Sequence, residues 1–452
     1  MRRLAARSDS RQVSAIDRAR AVALSLPPSA ALAAAIPLLF LHRTYQPTIG
    51  IPFGGTSVDV TLADWSVAVV LAVAAFQARR HGVAALRAGR TIYAAAAALL
   101  ALVFVSLAYP ALMDESYDLH THLVSASKFA WYALLALAVP LLVQRRRDVE
   151  LLFEAVVLWS GAATGWGVLQ FLGVVNEFEG KRPGQREPSF VGIHDFAALS
   201  GATLALGIAG LALGSNRPLG KRWSIGALIV GGLGLVVSGA MTGVGGIWVA
   251  SAVILLLARR LGPVGIRRVL ATAAILVVVT AGAATMRASA IERFAEFLGL
   301  REKTAETGVE SYAHRTLLAY IGVKIFLDHP VAGSGWQASD EPWAYGPHLD
   351  DAHRRFPDEP DEAFPSTQHP WGVQNLYVQT LADLGVVGFG LLVALFVAAV
   401  TTALRAEASQ LALVGLAWLL VAAGVWVGIG LIPGIPVAAL TWLALGLVAT
   451  RA

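Results

Sequence analysis

The sequence predicts an all-α fold, a polytopic transmembrane bundle of about 12 helices with one large external loop that contains amphipathic helices. Three observations predict it. Of 452 residues, 56% are hydrophobic and only 14% charged, against about a quarter charged in a soluble domain. Apolar windows recur near 23–42, 63–78, 91–110, 123–143, 149–171, 191–213, 223–239, 244–258, 269–287, 378–403, 410–431 and 435–450. The connections "ARRHGVAALRAGR", "QRRRD", "RPLGKRW" and "ARRLGPVGIRR", with Arg405 and Arg451, fall on one side of such an arrangement. The positive-inside rule makes that side the cytoplasm and places both termini there.

Residues 1–22 hold six Arg and no apolar run, and are read as a cytoplasmic basic tail. The first window contains Ala-Leu-Ala, which has the look of a cleavage site, but the segment is read as a retained anchor. Residues 23–287 are assigned to transmembrane helices one to nine, with short external loops at 43–62, 111–122 and 172–190. Residues 288–377 form the large periplasmic-side loop, and residues 378–452 the last three helices. The chain has no cysteine, which excludes disulfides and thiolate chemistry. Its net charge of +5 is spread by topology rather than gathered in a patch, so the expected partner is the lipid bilayer and no nucleic acid.

The large loop divides into three parts. "SAIERFAEFLGL" has the pattern of a short amphipathic helix lying on the membrane. "SYAHRTLLAYIGVKIFLDHP" predicts a longer helix stopped by Pro330, with Leu317, Leu318, Ile321, Ile325 and Phe326 at helical spacing. Arg315, Gly322 and Phe326 share a face, whereas Lys324 points the opposite way and is expected to reach water or lipid headgroups. Arg315 either faces inward, beside His314 and Tyr312, or anchors to headgroups. The third part, "DEPWAYGPHLDDAHRRFPDEPDEAF", is acidic and aperiodic.

The span after the loop opens with costly residues: "HPWGVQNLYVQTLADLGVVGFGLL". On a helix, Gln374, Tyr377, Leu381, Gly385 and Gly388 form one stripe, and Asn375, Gln379 and Asp383 a second. Polar groups facing lipid would go unsatisfied, so these either line a wet cavity or bind neighbouring helices.

"YAHRTLLAYIGVKIFLDHPVAGSGW", then "QNLYVQTLADLGVVGFGLLVALF", resembles the bacterial O-antigen ligase and O-antigen polymerase superfamily over about 315–395. "PSFVGIHDFAAL", after Arg186, is similar to that family's segment entering a middle helix. The resemblance implies transfer of a glycan from an undecaprenyl-pyrophosphate carrier to an acceptor hydroxyl at the outer face of the inner membrane. The acceptor would be a lipid core sugar, another lipid-linked glycan or a protein, and no metal or other cofactor is implied. Such chemistry needs cations for the pyrophosphate and a base for the hydroxyl. By position Arg315 would be the family's loop arginine, with Arg186 and Arg182 as further phosphate candidates. His369 and His314 would be base candidates, with His194 and Asp195 a further pair. Gln374, Asn375, Tyr377, Gln379 and Asp383 would line the acceptor cavity.

Two residues depart from the family pattern: Gln374 stands where the family has His, and Met241 in "VSGAMTGVGG" where it has Arg. A glutamine is no general base and a methionine does not hold phosphate. Two other readings therefore stay open. One is a non-catalytic relative or a transporter of lipid-linked glycans. The other is a multi-spanning glycosyltransferase using polyprenyl-phosphate sugars, for which Asp59, Asp64, Asp114, Glu115 and Asp118 would be the acidic candidates. His348, Asp350, Asp351 and His353 invite a metal reading, but the Pro-rich segment is taken as an acidic loop at the mouth.

Overall fold

The computed structural model describes residues 27–53, 56–113, 116–175, 183–297, 300, 311–369, 371–406 and 409–451. The basic tail, Arg182, Asp114 and Glu115 lie outside them. The chain begins with α1 (Ser29–Leu39), then the hairpin strands β1 (Thr48–Phe53) and β2 (Thr56–Thr61). Next come α2 (Leu62–His81), α3 (Arg90–Ser106), the short α4 (Tyr109–Leu112), α5 (Leu119–Ala133) and its continuation α6 (Leu135–Leu142). After them run α7 (Arg146–Phe171), α8 (Ile193–Leu213), α9 (Lys221–Ser238), α10 (Met241–Ala258) and α11 (Ile266–Thr285). The large loop carries α12 (Ala288–Phe297), α13 (Ser311–Asp328), α14 (Pro342–Tyr345) and α15 (Leu349–Arg355). The chain closes with α16 (Leu376–Arg405), α17 (Gln410–Val425) and α18 (Pro436–Val448).

Each of the twelve apolar windows holds a helix, and ten of these helical segments are long and apolar enough to cross a membrane. The two shorter ones, α1 and α18, have 11 and 13 residues. At the helical rise they reach only about 16–20 Å, less than a hydrocarbon core. The bundle is built around α8, which is buried almost throughout. Its sequence allows this because small residues admit close neighbours. A Cβ on Gly207 would stand 2.7 Å from the Leu228 amide, and one on Gly231 would collide with α8 at Leu204.

The described residues of the connections 42–62, 109–118, 183–192 and 286–375 gather at one end of the bundle. The His42 amide donates to the Phe190 carbonyl, Lys128 to the Asp59 carbonyl, and the Tyr117 hydroxyl to the Trp336 carbonyl. The segment expected as a plain loop at 43–62 is instead an antiparallel hairpin, with Thr48 opposite Thr61 and Phe53 opposite Thr56. Its Ile, Val and Thr residues suit strands, and Ile49, Ile51 and Phe53 stay exposed.

The large loop is folded. α13 buries Leu317, Leu318, Ile321 and Ile325 against Tyr345, Ala352 and Phe364, which gives the loop its own small core. Lys324 lies on the water-exposed side of α13, as expected, and also finds a partner there. Its ammonium lies 2.9 Å from the Asp351 carboxylate and 5.3 Å over the Tyr320 ring, because α15 supplies an acid on that side of α13.

α16 is broken at Gly385, whose φ of +62° interrupts the expected continuous stripes. Residues 330–339 cross the break. Pro330 and Val331 carbonyls accept from the Val386 and Val387 amides, and Ser334 and Gly335 amides donate to Ala382 and Asp383 carbonyls. A side chain on Gly385 would collide with Val331, and one on Gly333 with Asp383. Non-helical backbone at this depth is tolerated because the crossing segment satisfies it.

Candidate active site

Three elements bring Arg315 into contact with the bundle. α13 carries it, α8 opens with His194, and the turn into α16 presents Gln374. The Arg315 guanidinium lies 2.9 Å from His194 Nε2 and donates from Nε to Gln374 Oε1 at 3.3 Å. Of the two readings of Arg315, the structure therefore has the inward one. Arginine only donates, so His194 Nε2 is the acceptor here and the ring proton sits on Nδ1. That Nδ1 is buried without a hydrogen-bond partner.

Two more arginines surround this contact. Arg287, at the end of α11, is buried and lies 4.7 Å over the Tyr312 ring of α13. Arg186 and Arg287 both pack on Gly239: a Cβ there would stand 3.0 Å from Arg186 Cβ and 3.4 Å from Arg287 Cγ. Gly239 ends α9 in the left-handed region, with φ +56°. Arg186, Arg287 and Arg315 all act electrostatically on His194. Burial, and then the charge of Arg287, lower the Arg315 pKa from its usual value, yet arginine stays charged. Among the described residues no carboxylate pairs with Arg287 or Arg315. Arg287 and Arg315 repel each other unless an anion joins them. Met241 opens α10 two residues beyond Gly239.

The other candidates are placed differently. His314 points away from Arg315, buried beside Trp371 with ring centroids 5.1 Å apart. Its pKa is lowered by burial and then by Arg315, against a hydrogen bond to the Ala363 backbone. His369 lies on the approach to α16, stacked near Trp371 at 6.2 Å. Asp195 accepts from the Val437 amide and holds the start of α18. Asn375 caps α16, accepting from the Tyr377 and Val378 amides and donating to the Val427 carbonyl. The Tyr377 hydroxyl donates to the Ala423 carbonyl, and Gln379 accepts from the Leu431 amide. Asp383 accepts from the Gln337 and Ser339 amides. Of the five residues expected along the acceptor cavity, Gln374 alone meets Arg315.

Other acids have separate partners. Asp64 completes a capping box with Thr61 at the start of α2, and Asp118 caps α5. His348 faces Asp328 at 3.1 Å, whereas His353 stacks on Phe364 at 3.7 Å, so the two histidines do not converge. Beside Asp383, Asp340 is pushed up to about 7 by burial and then by the Asp383 carboxylate. His122 reaches the neighbouring Glu341 at 2.7 Å.

Residues 225–393, from α9 into α16, match the family model of the O-antigen ligase. The matched span includes Met241, Arg287, Arg315 and Gln374, and stops short of Arg186 and His194. A search of curated proteins finds no match. Over residues 225–393, a little over a third of the chain, the protein is thus similar to the O-antigen ligase family, in a setting of ten apolar membrane-length helices among the described residues and a late folded loop.

Proposed function

We propose that the protein transfers a glycan from an undecaprenyl-pyrophosphate carrier to an acceptor hydroxyl at the outer face of the inner membrane. The loop-bearing end of the bundle is then the outer face, and both termini are cytoplasmic. The observation that carries this reading is the set of three guanidinium groups around His194, two of them without a carboxylate partner among the described residues. Pyrophosphate is the anion such a set fits, because each planar fork makes charge-assisted bonds to phosphate oxygens.

In the reaction the acceptor oxygen bonds to the anomeric carbon as the bond from that carbon to the carrier's pyrophosphate oxygen breaks. The electron pair leaves on the pyrophosphate, where Arg315, Arg287 and Arg186 stabilise it. The acceptor proton passes to a base. His194 is the base we favour. Once Arg315 turns to phosphate, His194 Nε2 is released as an acceptor within reach of the site. His369, on the approach to Gln374, is the second candidate and His314 the third. Gln374 holds Arg315 and has its amide N–H left for a sugar hydroxyl.

A deletion strain complemented with wild type or with Arg315→Ala tests this through its pool of lipid-linked glycans. Transfer predicts that lipid-linked glycan accumulates, surface polymer is lost, and only wild type restores both. Stalled single repeat units would mean a polymerase, and stalled long chains a ligase. An unchanged pool, or full complementation by Arg315→Ala, would instead favour the non-catalytic reading that Gln374 and Met241 suggest.

A further inference from the structure

Away from the arginine site, two cavities adjoin at the far end of α13. One, of about 450 Å³, is lined by Asp328, Trp343 and His348, among others. The next, of about 340 Å³, runs past Tyr109 of α4 and over residues 330–333. Met113 and His329 line both, so the two form one cleft. Its chemistry is mixed. The Trp343 and Tyr109 rings and Met113 offer apolar surface, while Asp328, His329 and His348 offer hydrogen-bonding groups. The Trp343 Nε1 is buried and has no hydrogen-bond partner, which is uncommon for an indole donor.

We infer that this cleft is a glycan-binding subsite, taking a neutral or amino-sugar oligosaccharide. A pyranose ring has an apolar C–H face that lies on aromatic rings and a rim of hydroxyls that needs donors and acceptors. The cleft supplies both. The carboxylate of Asp328, which faces His348 at 3.1 Å and whose side chain is 58% exposed, disfavours a phosphate or an acidic sugar. Position agrees with this. Asp328 lies thirteen residues beyond Arg315 on the same helix, a rise of about 20 Å. That span is bridged by several sugar units and not by one. The cleft would therefore grip the distal units of a glycan whose reacting end lies at Arg315. Its floor is the segment that crosses the break in α16, so it is fixed to the bundle and not to a free loop.

Naming the ligand rests on the transfer reading, but the test does not depend on transfer. The probe is the repeat-unit oligosaccharide released by mild acid from the surface polysaccharide of the source strain. It is titrated against the full-length protein in detergent micelles and followed by saturation-transfer NMR. Wild type should bind it. Trp343→Ala and Asp328→Asn should each weaken binding about tenfold or more, a loss of roughly 1.4 kcal/mol. Trp343→Phe should bind within a few-fold of wild type, and Arg315→Ala should bind as wild type does. Asp328 is exposed, so its variant keeps the test alive if Trp343→Ala fails to fold. No binding by wild type, or equal binding by Trp343→Ala and Asp328→Asn, overturns the subsite. So does loss of binding in Arg315→Ala alone, which would place the glycan at the arginines. An unchanged lipid-linked pool in the deletion strain would sink the transfer reading and leave this titration as it stands.

Discussion

Two polar regions flank the opening turns of α16, and their charges are opposite. Beside Gln374 stands Arg315, which also meets His194, and Arg287 and Arg186 act electrostatically on that histidine. Around Asp383 stand Asp340 and Glu341, the latter against His122. The acidic region is bonded into the backbone: Asp383 takes two amides of the crossing segment. Buried atoms without hydrogen-bond partners occur in both regions, Arg287 Nε and His194 Nδ1 in one, Asp340 Oδ1 and His122 Nδ1 in the other, but Arg315 is held by the side chains of His194 and Gln374 and not by backbone. A polar group satisfied by backbone holds a fold together, whereas the buried Arg287 and Arg315, with no carboxylate partner among the described residues, hold a place for a ligand. The contrast separates residues that sequence alone put into one cavity.

The contrast breaks most visibly at Arg315. Arg315→Ala should reduce glycan transfer about 10²–10³-fold, the scale for losing one preorganised charge donor. The amount of protein in the membrane should not change. Arg315→Lys should restore only part of the activity, because an ammonium lacks the fork. Surface polymer and the lipid-linked pool report both. If Arg315→Ala instead removes the protein from the membrane, the arginine is structural and the contrast fails.

Substitution at the helix break should act the other way. Gly385→Val meets the Val331 carbonyl and forces a branched residue to φ +62°, a strain of about 1–3 kcal/mol before any collision. It should abolish the monodisperse peak on size exclusion in detergent. Asp383→Ala should cost about 1–3 kcal/mol, since the Gln337 and Ser339 amides lose their acceptor. Its thermal midpoint should fall, and its activity per folded molecule should hold. Activity lost at an unchanged midpoint would move Asp383 to the substrate.

The last expected effect is a slope. Asp340 sits at about 7 in the folded protein against 3.8 for the free group. Between those values the folded state keeps a proton that the unfolded chain has lost. Stability therefore declines as pH rises from about 4 to 7 and levels off above. Asp340→Asn should flatten that profile in a thermal-shift series, and an unaltered slope would assign it to another group.

Much of the fold could be read directly from the sequence. The apolar windows set the helices, and Pro330 falls just past the end of α13 at Asp328. Arg315 was found by periodicity and resemblance together. What escaped depends on contacts across long sequence distance. The pairing of His194 with Arg315 joins residues 121 apart. Arg287 belongs to no motif, although its place on the loop-bearing side runs against the charge bias of the other connections, which is the available signal. Asn375, Gln379 and Asp383 have the side chains of cavity residues, and only the geometry shows that backbone amides occupy them. The break at Gly385 left no trace in hydropathy, because its neighbours are apolar on both sides.

That break has a practical consequence for anyone who alters the protein. Residues 330–339 precede α16 in the chain, yet they complete its hydrogen bonding. The large loop is therefore not a removable appendage, and trimming it as an accessory would take backbone partners from a span. An epitope tag or a protease site belongs in the exposed stretch at 357–358 or 361–362. Placed some twenty-five residues earlier, the same insertion would unlatch the helix that the loop was made to close.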